Sequence, residues 1–181
     1  LYSHYKDTEL YIRKNNIPND LVDKYISVKV ELIKDLFEND NKYYSDKNYD
    51  FLDKNNLLNN LSSIDKFIQP NMVSEKKYDF VLGGKNTTTK FQVDPSFRNF
   101  FYVADGELEV ILSPPENNNK MNMYKDYYNF EFISSINPFL AENKEKVKNF
   151  SKIELKLVKG QLLFIPAYWF YSFKFNETIL I

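Results

Sequence analysis

The sequence predicts a mainly β domain, a sandwich or jelly roll, behind a helical N-terminal segment. Two patterns carry this: apolar residues three and four apart before residue 70, and short apolar runs separated by turn residues after residue 77. With 43% hydrophobic residues, 14 Tyr and 16 Phe, the 181-residue chain is too apolar for disorder and has ample material for a core. It contains no internal repeat.

The first seventy residues read as helical and connecting material. An N-cap at Asn19 or Asp20, after Pro18, precedes Leu21, Val22, Tyr25, Ile26, Leu32, Ile33, Leu36 and Phe37, whose spacing predicts an amphipathic helix ending near Asn39-Asp40. Asp40 to Asp50 is polar and punctuated by Tyr, the pattern of a loop, and Leu57 to Phe67 predicts a shorter helix closed by Pro70.

Strand patterns then take over. Tyr78 to Leu82 runs into Gly83-Gly84, and Thr87 to Val93 is β-branched and ends at Asp94-Pro95. Asn99 to Val103 and Leu108 to Leu112 flank Asp105-Gly106, a hairpin signal. Pro114-Pro115 opens a long polar excursion, Glu116 to Phe150, with a short helix around Ala141 to Lys148. Strands resume at Ile153 to Val158, turn at Gly160, and continue through Leu162 to Ile165, Tyr168 to Phe175 and from Thr178 onward. Seven or eight short antiparallel strands are expected.

Charge and composition exclude several functions. Lys and Arg number 24 against 25 Asp and Glu, so no basic excess exists to neutralise phosphates, and no nucleic-acid partner is expected. Cys is absent and the single His, His4, is expected at the surface, so thiolate and imidazole sites for zinc, a Cys-His dyad or a two-His iron site cannot be assembled from this chain. Carboxylate-only Mg or Ca sites stay open. Gly83-Gly84-Lys85 lacks the upstream glycine and the following Ser or Thr of a phosphate loop. No run of roughly 20 apolar residues spans a membrane. The chain begins without a signal-peptide pattern and stops inside an apolar run, which reads as a piece of a longer protein.

Three blocks resemble the cupin-like JmjC family of oxygenases, in the branch related to asparaginyl and lysyl hydroxylases. They are Thr89 to Asp94 followed by Asn99-Phe100-Phe101, then Asp105-Gly106 through Leu112-Ser113-Pro114-Pro115, and finally Gly160 to Tyr171 with its Ile165-Pro166-Ala167-Tyr168-Trp169 run. The resemblance implies a double-stranded β-helix over residues 76–181, truncated at its C-terminal end, behind a helical segment 1–75. It also implies where iron would be held: a His-x-Asp pair and a distal His, which fall on Gln92, Asp94 and Tyr171. Two of the three ligands are therefore missing. The co-substrate positions fall on Thr89, Asn99 and Leu108, where Leu108 replaces the basic residue that pairs with a 2-oxoglutarate carboxylate. The implied site is degenerate, and no metal or other cofactor is expected.

Other readings stand beside that one. Asp94 is either a relic ligand or the cap of the Asp94-Pro95 turn. Tyr168 and Trp169 either line an aromatic cleft or pack as core and rim, and the excursion is either a recognition loop or a variable insertion. The leading expectation is a non-catalytic structural or protein-interaction module with proteins as partners. Abundant Lys, Asn, Ile, Tyr and Phe suggest AT-driven codons, and with them a large DNA virus particle or a protist assembly. The alternatives are an iron/2-oxoglutarate hydroxylase with a rearranged site and a cupin binding a small ligand or glycan. Localisation is not fixed by the sequence, with an intracellular or virion-associated setting favoured.

Overall fold

The structure, a computed structural model, describes residues 4–15, 25–176 and 179–180. Strands dominate it and every strand pairing is antiparallel.

The N-terminal third carries helices as expected, and three strands that were not. Strand β1 (Glu9–Lys14) pairs with β2 (Tyr25–Lys29) and with β3 (Tyr43–Ser45). Strand β4 (Leu82–Gly83) joins β3 to β12 (Ile179–Leu180), giving a five-stranded sheet in the order β12-β4-β3-β1-β2. The sheet thus runs across residue 75.

The helix expected from Asn19 to Asp40 is strand in part. Its cap and residues up to 24 lie outside the described residues, Tyr25 to Lys29 pair with β1, and within the described part of that span α1 (Val30–Asn39) is helical. The β-branched residues Ile26 and Val28 suit a pleated surface, and the ladder to Leu10 and Ile12 outweighs the helical spacing. Val30, Ile33 and Phe37 of α1 are buried in one core with Leu10, Ile12, Leu82 and Phe80. Helix α2 (Phe51–Lys54) adds Phe51 and Leu52, and α3 (Leu58–Ile68), within a residue of its expected span, lays Leu58 and Leu61 against the same core.

Strands β5 (Arg98–Tyr102) and β6 (Glu107–Ser113) flank Asp105-Gly106 but do not form the expected hairpin. Strand β6 lies between β9 (Ile153–Val158) and β11 (Phe170–Phe175), whereas β5 pairs with β10 (Leu162–Pro166). Gly106, at φ +83°, marks a corner between two sheets. Leu108, Val110, Leu112, Ile165, Tyr171, Phe173 and Phe175 form the central core there.

The expected strands at Tyr78 to Leu82 and Thr87 to Val93 shrink to β4 and to single bridges at Thr88 and Gln92. The polar excursion has structure that its composition conceals: a hairpin of β7 (Met123–Asp126) and β8 (Glu131–Ser134), then the short α4 (Lys144–Val147). Met121, Ile136, Val147 and Phe150 bury Phe91 beneath it. Gln92 links the β7–β8 hairpin to β11 through its bridges to Ile133 and Tyr171, and among the described residues no sheet closes on itself. No described helix is long and apolar enough to cross a membrane.

Candidate functional site

Gln92 and Tyr171 face each other. The Gln92 amide donates to the Tyr171 carbonyl and the Tyr171 amide to the Gln92 carbonyl, both at 2.9 Å. Residues that exchange both bonds in an antiparallel pair project their side chains from the same face. On its other edge Gln92 bridges Ile133 of β8, so this one residue is held from two sides.

A cavity of about 810 Å³ opens on that face, and Thr89, Gln92, Asp94, Asn99 and Tyr171 all line it. The other predicted residues lie elsewhere. Leu108 is fully buried between Phe175 and Leu157. Tyr168, at φ +65°, is 62% exposed, and Trp169 packs partly buried against the central core; neither lines the cavity.

One end of the cavity carries a charge cluster that sequence reasoning missed. Arg13 of β1 is 6% exposed and pairs closely with the buried Glu131 of β8. Its other Nη donates to the Tyr44 hydroxyl at 3.2 Å, and the guanidinium lies 4.4 Å from the centre of the Tyr25 ring. Glu131 also takes Lys47 at 2.8 Å and the Tyr25 hydroxyl at 2.8 Å.

Burial raises the Asp46 carboxyl, against the opposing pull of Arg13 and Lys47. Burial and then the neighbouring Asp46 push Asp79 up to about 6, although three backbone amides donate to its carboxylate. No local pattern links Arg13 to Glu131 across 118 residues. One signal was available: Arg13 is one of only 2 arginines among 24 basic residues, and the rigid fork of arginine suits buried pairing better than lysine does.

A family profile described as a cupin-like domain matches residues 6–181. The chain belongs to this cupin-like family. No curated protein sequence matches it significantly. The match includes β1, β2 and β3, for which sequence motifs offered nothing.

The iron that the cupin-like JmjC fold implies can be tested against the donors present. Gln92 offers a neutral carboxamide. An Asp94 oxygen accepts the Ser96 amide at 2.7 Å, the bond expected of a turn cap. The Tyr171 ring is buried 5.2 Å from that of Phe101 and 5.1 Å from that of Phe173. Burial first and Asp94 second raise its phenol well above the usual range, which keeps the anionic ligand form out of reach. These donors do not fit ferrous iron. Among the described residues no group of three or more His, Cys, Asp or Glu is placed to hold a metal ion.

The remaining co-substrate positions have structural partners. The Thr89 hydroxyl accepts the Phe173 amide at 2.9 Å, and its carbonyl takes the Ser172 hydroxyl at 2.6 Å. Asn99 donates to the Ser96 carbonyl at 3.3 Å. Thr89→Val keeps the shape and removes the acceptor, leaving a buried amide unpaired. A stability loss of about 1–3 kcal/mol is expected in urea unfolding, and an unchanged midpoint would refute the role.

Proposed function

We propose that this cupin-like domain is a double-stranded β-helix without iron chemistry, kept as a structural or protein-interaction module. The observation that carries the reading is Tyr171, which stands opposite Gln92 in the register of an iron ligand while its ring is packed between Phe101 and Phe173. Strand register and turn residues persist where the chemistry of the ligands has gone. That is the outcome when selection holds a shape and not a reaction.

Exposed aromatics suit a docking role: Tyr127 and Tyr128, at the tip of the β7–β8 hairpin, are 70% and 91% exposed. The amino-acid usage points to a large assembly, a DNA virus particle first, as the setting. Calorimetric titration of the purified protein with Fe(II) or Mn(II) tests the reading. No micromolar binding is expected. Micromolar binding that disappears in Asp94→Ala, together with 2-oxoglutarate turnover, would overturn it.

A further inference from the structure

Strand β9 is a margin of its sheet: among the described residues the order is β11-β6-β9, with β6 as its one neighbour. The ladder to β6 runs unbroken from Ile153 to Val158, without a bulge or a Pro to blunt the outer edge. Ile153 and Val158 are 46% and 44% exposed. Amides along an antiparallel strand alternate in direction, and that of Val158 points away from β6, since it donates to the Gln161 side chain at 3.0 Å. The amides of Glu154 and Lys156 therefore point away from β6 as well.

The polar face of this sheet carries a charge ladder that stops at the margin. Lys174 of β11 stands opposite Glu109 of β6, and Glu109 stands opposite Lys156 of β9, so the signs alternate across the strands. Lys174 donates to Glu109 at 2.9 Å, and Lys156 lies 2.8 Å from Glu107. The next position outward calls for an acid. Strand β9 carries one itself: Glu154, exposed, with Lys152 at 2.8 Å. A second β9 laid antiparallel with Leu155 on the two-fold axis puts Glu154 of each copy opposite the partner's Lys156. Placing Glu154 or Lys156 on the axis instead brings like charges face to face, which is unfavourable. Charge thus selects the register.

The same register completes the apolar face. Leu155 meets the partner's Leu155 on the axis, and the exposed Ile153 lies opposite the partner's Leu157. The rows Phe173-Val110-Leu155 and Tyr171-Leu112-Ile153 then continue from one chain into the other. We propose that two copies of this chain associate edge to edge through β9, joining their three-stranded sheets into one, with Glu154 of each copy paired to the partner's Lys156. This goes beyond the module role and does not depend on it, because no residue of β9 lines the cavity.

Sedimentation velocity of the full chain over a range of concentrations tests it. One strand edge makes a small interface, so a reversible dimer with a dissociation constant of roughly 10–500 µM is expected. Glu154→Lys opposes like charges at both symmetric pairs and is expected to weaken the dimer by about tenfold or more. Lys156→Glu should do the same. An equimolar mixture of the two variants should restore the dimer, because the acids of one chain then face the lysines of the other. Since Lys156→Glu adds an acid beside Glu107 and Glu109, Glu154→Pro provides a safer second variant: it removes an amide that points away from β6 and leaves the ladder to β6 intact, and monomers are expected. Circular dichroism checks that each variant is folded. A parent chain still monomeric at about 1 mM, well above that range, would overturn the proposal. So would dimers that persist in both Glu154→Lys and Glu154→Pro, or a mixture of folded charge variants that stays monomeric.

Discussion

Arg13→Met is expected to lower folding stability by about 3–5 kcal/mol, a large share of what a domain of this size possesses. The guanidinium is 6% exposed, so its removal leaves Glu131 and Asp46 as buried carboxylates with one cation fewer between them. Glu131 keeps Lys47 and the Tyr25 hydroxyl, which is why the loss should stop short of unfolding. Adding Glu131→Gln to the same chain should recover part of it, because the excess negative charge goes as well. Urea unfolding of the single and double variants measures both effects. A loss under about 1 kcal/mol for Arg13→Met would mean that the N-terminal strands do not rely on β8.

The second large effect is steric. A Cβ built on Gly83 would overlap the ring of Phe175. That ring is fully buried and has nowhere to retreat, since the Phe175 amide is tied to the Thr87 carbonyl at 2.9 Å and its carbonyl takes the Asn86 amide at 2.6 Å. Gly83 itself is fixed between Tyr44 and Ile179. Gly83→Ala should cost about 1–3 kcal/mol, and Gly83→Val more, because overpacking forces side chains off rotamer and shifts backbone. Thermal unfolding of the three proteins gives the order glycine, alanine, valine. A valine variant as stable as the parent would show that the strand can move away from β11.

The strands between Ile153 and Phe175 were legible in the sequence because their signals are local. The spans of β9, β10 and β11, and the turn at Gly160, follow from apolar runs broken by turn residues. What local signals lack is the identity of the partner. Asp105-Gly106 announces a turn, yet the strands it joins find partners in β10 on one side and in β9 and β11 on the other. In the same way Tyr25 to Lys29 were absorbed into a helical stripe, since only contact with β1 makes them a strand.

The candidate site divides along similar lines. Gln92 and Tyr171 were singled out by the family resemblance, and they stand opposite each other and line the cavity together with Thr89, Asp94 and Asn99. The cavity's charged end was not singled out. That end is assembled from Arg13, Asp46 and Glu131, which share no motif and meet only after three separate elements have packed. Trp169, the residue with the clearest signature, packs against the core away from the cavity.

The place of β6 bears on how the protein is made. Both of its ladder neighbours, β9 and β11, come much later in the chain, and β10 stands in the same relation to β5. As the ribosome emits the polypeptide, β6 emerges with two bare edges that stay uncovered until β9 and β11 follow. Folding of this half therefore waits on segments far along the chain, and the nascent form that precedes them is the one most in need of a chaperone.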